Sequence, residues 1–350
     1  MRLVLAPLAA VAAFLFANAM HLGAAGKIVG GPFVVNVKPT SATVVWVVQN
    51  GADLRAETMP LADLKPGSVQ KYEVPNAPGF GGTFKTPPMA AQPFEFVVFG
   101  DTRTRHDVHR HVVEAILKYS SPEFVMHSGD LVSNGKDDAL WPTFFDIERD
   151  LLRKAAFFPA LGNHERNSPR FYEFFQVGPP YYSFDWGDAH FIVLNSDIGN
   201  AAADAAAKNE FWTGQTAWFE NDLKKSQGAA FRFVMAHHPP FSAVSRRQDS
   251  NPEMRALVPM FEKYHVTAGF FGHDHNYQHY LKDKVHYVIS GGGGAPLYDV
   301  DKPVPDITQK VSSVEHFVKI KVDGKSAKVT AIALDGSTLD EFDLTASSSR

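Results

Sequence analysis

An α/β fold is predicted for most of this 350-residue chain, and three observations predict it. From Phe94 onward, short runs of β-branched and aromatic residues have the length and composition of buried strands: Phe94 to Phe99, Phe124 to Met126, Phe157 to Leu161, Phe231 to Met235 and Ala268 to Phe271. Segments with apolar residues at helical spacing lie between them. Most of the runs lead directly into a short polar motif, and five such motifs follow in order: Gly100-Asp101, Gly129-Asp130, Gly162-Asn163-His164-Glu165, His237-His238 and Gly272-His273-Asp274-His275. In open α/β sheets ligands bind at the carboxyl ends of the strands, so these groups are expected to converge on one spot.

The elements follow in order. Arg2 precedes an uncharged apolar stretch, Leu3 to Phe16, that ends in Ala17-Asn18-Ala19, so residues 1–19 read as a cleaved secretory signal. Pro7, Asn18 and His21 interrupt what would need to be about 20 apolar residues to span a bilayer. The expected location is therefore periplasmic or secreted, with membrane tethering if the signal is retained. Residues 28–88 read as a small all-β module, with strands at Phe33 to Val37 and Ser41 to Val48 and shorter ones at Val69 to Val74 and Gly82 to Thr86. Turn signals separate them at Lys38-Pro39-Thr40, Asn50-Gly51 and Lys65-Pro66-Gly67, and Pro87 to Pro93 reads as a linker. The larger domain then spans 94–348. Asp107 is placed to cap a helix running to Tyr119, and further helices are expected over Trp141 to Lys154, Phe211 to Lys225 and Pro252 to Tyr264. Tyr181 to Ser183 and Ala189 to Leu194, joined through Asp185-Trp186-Gly187, form a hairpin that makes the sheet mixed. Ala201 to Ala207 is a surface loop or helix lead-in. A meander over Phe317 to Val322, Val329 to Leu334 and Leu339 to Leu344 closes the chain.

Composition narrows the function. With 45% apolar and 21% charged residues, the chain is neither disordered nor built of several membrane spans. A balance of 34 basic against 38 acidic residues provides no basic face for nucleic acid. The absence of cysteine excludes disulfides, thiolate ligands and a cysteine nucleophile. Any metal must use His, Asp, Glu, Asn or Tyr, a donor set suited to zinc, manganese or iron.

The motifs contain the parts of a two-metal hydrolase, which needs ligands for two cations about 3.5–4 Å apart, an anionic bridge and a proton donor. Asp101 and Asp130 offer carboxylates, one of them able to bridge; Asn163 offers an amide oxygen; His237, His273 and His275 offer imidazoles. His164, beside Asn163 but pointing elsewhere, is the natural general acid. Taken singly the signals are weak, since Gly-Asp after a strand is commonly a turn and His-x-His commonly a satisfied loop pair. All five in order are specific.

The series resembles the calcineurin-like metallophosphoesterase superfamily and, within it, the purple-acid-phosphatase-like branch. That branch similarly shows Gly-Asp, Gly-Asp, Gly-Asn-His-Glu, Val-x-x-His and Gly-His-x-His. Here the fourth motif is Val234-Met235-Ala236-His237, and the fifth continues as Asn276-Tyr277. The resemblance covers about residues 94–300, and more loosely a fibronectin-type-III-like N-terminal module and the C-terminal strands. It implies an αββα two-sheet sandwich, two divalent or mixed-valence ions (Fe, Mn or Zn) and a phosphate-ester substrate. Carried over by residue, Asp101 and His275 hold the first metal, Asp130 bridges, Asn163, His237 and His273 hold the second, and His164 assists the leaving group while hydroxide attacks in line.

Two departures stand out. Many members have Asp-x-His where this chain has Asp101-Thr102-Arg103, and purple enzymes have Tyr where it has Ser133. The protein is therefore not expected to be purple. The first metal is left with Asp101, Asp130, His275 and water unless His109 or His106 fills in; a solvent-facing helical histidine is the alternative for both. Arg103 either forks onto phosphate oxygens or makes a surface ion pair. His238 either contacts substrate or positions its loop, and Gly291 to Gly294 either present amides to an anion or simply turn. The stretch Ser242 to Asn251 is a candidate to shape the pocket. Trp141, Phe144, Phe145, Tyr181 and Tyr182 are assigned to core. Two rivals are a non-catalytic binding or adhesion protein on the same scaffold, which the departures keep open but which has no need of Asp130, Asn163, His164, His237, His273 and His275 together, and a mononuclear zinc hydrolase using His273 and His275, which leaves Asp130 and Asn163 unexplained.

Overall fold

The computed structural model describes residues 26–346; the signal assignment falls outside them. The chain forms β1 (Lys27–Lys38), β2 (Ser41–Asn50), β3 (Asp53–Leu61), β4 (Val69–Glu73), β5 (Gly81–Lys85), β6 (Phe94–Phe99), α1 (His106–Tyr119), β7 (Phe124–His127), α2 (Trp141–Leu152), β8 (Ala156–Pro159), α3 (Pro169–Phe175), β9 (Tyr182–Trp186) and β10 (Ala189–Val193). It continues through α4 (Ile198–Ala201), α5 (Ala205–Lys225), β11 (Phe231–Met235), α6 (Pro252–Lys263), β12 (Ala268–Phe271), β13 (Tyr277–Lys282), β14 (Val285–Ser290), β15 (Thr308–Ser312), β16 (His316–Asp323), β17 (Ser326–Ala333) and β18 (Thr338–Thr345). Among the described residues no helix is long and apolar enough to cross a membrane.

Two sheets stack face to face. The nine-stranded sheet has the order β18-β17-β16-β6-β7-β8-β1-β2-β3, and the seven-stranded sheet β15-β13-β14-β12-β11-β10-β9. Strand alternation explains the layers. In β6, Phe96 and Val98 face the second sheet and cluster with Phe124, Met126, Phe191, Phe233 and Phe270. Val97 and Phe99 point the other way, onto Val112 and Ile116 of α1 and Phe144 of α2. The outer face of the second sheet buries Ile192, Val234 and Phe271 against Phe219 of α5 and Leu257 and Phe261 of α6. The result is the expected αββα sandwich. Phe96 anchors its centre, stacked on Phe124 at 4.9 Å between ring centroids and edge-on to Phe191 at 5.3 Å; truncating such a buried ring costs about 3–5 kcal/mol.

Residues 28–88 are all-β as expected, but their first three strands extend the large sheet. β1 pairs in parallel with β8 through Val34 and Ala156, and Val34 and Val44 share the inter-sheet core with Phe96. Only β4 and β5 form a separate two-stranded ribbon. Smaller differences have local causes. The helix after β6 starts at His106 with Arg105 as its cap residue, in a left-handed conformation (φ 46°), rather than at an Asp107 cap. Arg105 is drawn there by its side chain, which donates to the Gly294 and Ala295 carbonyls at 2.8 and 2.6 Å. Asp185 and Trp186 lie within β9, so the hairpin turns at Gly187-Asp188. β3 is a polar edge strand containing Pro60, which weakens its sequence signal.

His190, without a role in the sequence, bridges the second sheet to α5. Its ring nitrogens lie 2.6 Å from Asp185 Oδ1 and 2.8 Å from Asp222 Oδ2. Burial opposes charge on the ring, but the two carboxylates outweigh it and raise its pKa to about 9. Because the folded value lies above the unfolded value of about 6.5, the bridge contributes fully below pH ~6.5 and is lost as pH rises toward 9. Denaturant titrations at pH 6 and pH 9.5 are expected to show wild type losing on the order of 2 kcal/mol more than His190→Gln over that interval. Parallel pH profiles would show the bridge to be energetically silent.

Candidate metal centre

The strand ends bring the motifs together through unusual backbone. Asp101, Asp130 and His273 take left-handed conformations with φ of 61°, 57° and 70°. Such conformations are uncommon outside glycine and cost about 1–3 kcal/mol when surroundings enforce them. Here the motif loops enforce one another: Asp101 N donates to Gly129 O at 2.9 Å, His273 N to Asp101 Oδ2 at 2.9 Å, and His164 N to Asp130 Oδ1 at 2.9 Å. Gly129 has φ 97°, and a Cβ there would sit 2.8 Å from Gly162 N and 2.9 Å from His237 Nδ1, so the loops close only around glycine. In the Gly291 to Gly294 run, Gly293 N donates to Gly100 O at 3.0 Å, and a Cβ on Gly293 would collide with that carbonyl. The run is a close-packed support for the first motif.

All six residues expected to bind metal converge. Asn163 Oδ1 lies 3.1 Å from both His237 Nε2 and His273 Nδ1, which are 3.3 Å apart. Asp130 Oδ1 is 3.4 Å from His237 Nε2. On the other side, Asp101 Oδ1 is 3.4 Å from His275 Nε2, buried and without a hydrogen-bond partner. Donor atoms of Asp101, Asp130 and His237 lie within 4.8 Å of one another, as do those of His237, His238 and His273. Donors sharing a cation at about 2.0–2.2 Å are separated by such spacings, so the residues fit metal ions. The outer partners agree. His237 Nδ1 donates to Ser128 O at 2.8 Å and His275 Nδ1 to Pro296 O at 2.7 Å, which turns each Nε2 lone pair inward. A lone pair of neutral His237 facing the Asn163 oxygen is repulsive unless a cation lies between them.

Electrostatics divide the imidazoles. Burial, reinforced by neighbouring imidazoles, pushes His273 and His238 well below the usual histidine range and keeps them neutral. Burial also opposes charge on His237, but Asp130 and Asp101 outweigh it and raise its pKa, so protons and metal compete for that ring. Burial works against ionised Asp101 too, yet the His275 contact and the His237 charge hold its pKa low.

The remaining candidates divide. Arg103 is in the centre, its Nε 3.4 Å from Asp130 Oδ2, in a sheltered ion pair rather than a surface one. His109 does not join: its Nε2 is 2.6 Å from Glu148 Oε1, and both side chains are fully buried between α1 and α2. His106 is exposed. His164 Nδ1 donates to the Ser133 carbonyl at 2.9 Å, while Nε2 stays partly exposed, 3.9 Å from Asp130 Oδ2. His238 N donates to Ser196 Oγ at 2.8 Å, and the ring sits 4.2 Å from that of His273. Trp141, Phe144 and Phe145 are core, as expected; Tyr182 hydrogen-bonds Pro159 O at 2.9 Å, and Tyr181 packs on Trp218 at 4.8 Å.

Sequence reasoning missed three supports. Glu165, the last residue of its motif, accepts from the backbone N–H of Gly162, Leu131, Asp130 and Val132 at 2.7, 2.8, 2.9 and 3.3 Å. Burial and the Asp130 charge push its pKa up to about 8, against these amides. Asp274, between His273 and His275, is fully buried and hydrogen-bonds Ser242 and Gln278. Tyr298 stacks on His275 with 4.1 Å between ring centroids. Only the position of Glu165 and Asp274 inside motifs could have flagged them.

Known proteins share part of this sequence and its fold. The family model described as calcineurin-like phosphoesterase matches residues 94–277. Acid phosphatase type 7 of Mus musculus is 22% identical over 283 residues, covering 71% of this chain and 62% of that protein. Tartrate-resistant acid phosphatase type 5 of Oryctolagus cuniculus is 30% identical over 134 residues, covering 36% of this chain and 40% of that protein. The chain thus spans less than two thirds of either. A purple acid phosphatase from seeds of yellow lupin (Lupinus luteus) has a similar fold, with a TM-score of 0.70 at 17% identity over 90% of this chain and 74% of that one. On its motifs, its fold and the family match, this chain belongs to the calcineurin-like phosphoesterase family, and acid phosphatases are among its relatives.

Proposed function

We propose that the protein is an exported phosphoesterase that hydrolyses phosphate esters at a two-cation centre. The observation that carries this is the convergence of Asn163, His237 and His273 beside Asp130, with Asp101 and His275 adjoining. In this reading Asp101 and His275 hold one cation, Asn163, His237 and His273 the other, and Asp130 serves both. Iron, manganese or zinc suits the set. When bound, such ions polarise phosphoryl oxygens and make hydroxide available near neutral pH. The protein's own groups supply the rest. His164, its Nδ1–H fixed on Ser133 O, presents Nε2 on the open side to donate a proton to the leaving oxygen. Arg103 holds Asp130 and offers N–H groups to the phosphoryl oxygens. Residues 94–348 form the catalytic unit, and β1 to β3 extend it. The apolar N-terminal stretch supports export, and a chain without cysteine meets no pairing problem in an oxidising compartment.

The test is metal content per chain on protein purified without chelator, with hydrolysis of a chromogenic monoester and diester on the same sample. About two metals and chelator-sensitive turnover are expected. His164→Ala should then lower kcat by about 10²–10⁴ with metal content unchanged. No metal and no turnover, even after manganese, zinc or iron is added back, would replace this reading with a non-catalytic scaffold.

A further inference from the structure

The stretch Ser242 to Asn251 is fastened from below. Ala243 N donates to Gln278 Oε1 at 2.7 Å, Ser245 N and Oγ to the Asp301 carboxylate at 2.9 and 2.8 Å, Gln248 Nε2 to Lys302 O at 2.8 Å, and Asn251 Nδ2 to Pro239 O at 3.0 Å. Fixed in this way, the short helical turn Ser245–Arg247 aims two arginines at Tyr298. Their guanidinium carbons lie 4.5 Å (Arg246) and 5.0 Å (Arg247) from the ring centroid. Arg247 Nη2 also donates to Tyr298 Oη at 3.3 Å, and its Nε is 3.6 Å from Asp274 Oδ1.

Arg247 is incompletely partnered for so sheltered a charge. Its side chain is 20% exposed, and the facing Asp274 Oδ1, itself buried, has no hydrogen bond at all. A structural arginine in such a place normally closes a bidentate pair with the carboxylate. This one stands off from the carboxylate of Asp274, which lies between the motif histidines, and keeps N–H groups unused. A fixed cation beside a cluster built to hold cations is unfavourable unless an anion comes between them.

We propose that Arg247 is a substrate-binding residue, its unused N–H groups taking oxygens of the phosphoryl group held at the donor cluster. Asp274 and Tyr298 are its positioning residues: the first sets the guanidinium from inside the His-Asp-His motif, the second from the ring stacked on His275. The proposal rests on the phosphoesterase reading above and adds to it a binding group outside the five motifs.

Inorganic phosphate is the probe, titrated calorimetrically and as a competitive inhibitor against protein purified with its metals. Arg247→Ala is expected to weaken phosphate binding and raise KM for a chromogenic monoester by about tenfold or more. kcat should change by less than about threefold, and metal content should hold. Arg247→Lys should recover only part of the loss, because an ammonium cannot reproduce the fork. Unchanged phosphate affinity would overturn the proposal. So would a loss of metal that accounts for the weakening, which would make Arg247 a prop for His275 acting through Tyr298. Should the wild type bind phosphate but hydrolyse no ester, the phosphoesterase reading fails while the phosphate titration still decides the role of Arg247; a metal-loaded wild type that binds no phosphate overturns it.

Discussion

Asp130→Ala is expected to lose metal and turnover together, with activity falling by about a thousandfold or more. The carboxylate accepts from His164 N at 2.9 Å and lies 3.4 Å from both His237 Nε2 and Arg103 Nε. Without it Arg103 is stranded beside the imidazoles, and its uncompensated charge should oppose the binding of any cation there. Asp130→Asn separates charge from shape. Asparagine tolerates the left-handed backbone required at φ 57° and can still accept from His164, so its fold should hold while metal binding weakens. Elemental analysis beside single-turnover kinetics measures both quantities. Near-normal turnover with full metal content in the alanine variant would remove Asp130 from the centre.

Glu165→Ala should have the largest effect on stability of any change near the site. It leaves four backbone N–H groups without their acceptor, and each buried unsatisfied group costs about 1–3 kcal/mol. Partial relaxation brings the expected loss to about 3–5 kcal/mol, read as a lower denaturant midpoint with an unchanged slope. Above about pH 8, where the Glu165 carboxyl is ionised, Glu165→Gln should recover little, since its amide turns two donors toward donors. Because these amides belong to the Asp130 and Gly162 loops, metal affinity should fall in the same variants. A shift below about 1 kcal/mol would mean that the loops hold their shape without the carboxylate.

Much of the centre was legible because the strands that deliver it are buried on both faces and therefore read as unbroken apolar runs, with the motifs beginning where the runs stop. β6, β11 and β12 lie where their runs lie. What escaped depends on partners remote in sequence. Nothing local says that β1 will seek β8, so residues 28–88 read as a module of their own. The helical pattern around His109 shows an inward face, but not that Glu148 waits on α2. β13 and β15 carry polar residues against each other, including His279 beside Lys310, and so lack the apolar signature of a strand. Arg247 sits in a polar loop whose sequence is silent on the Tyr298 ring that it meets.

The placement of the first and last described strands in the large sheet limits how far this protein can be cut down. β6 to β8 lie between β16 and β1, so cutting at the proline-rich linker before β6, or ahead of β16, bares a row of unpaired backbone groups on a strand that feeds the site. An apolar strand with an open side is a template for intermolecular pairing and aggregation. The smallest fragment that folds around these motifs is therefore nearly the whole described chain, although the family match stops at residue 277.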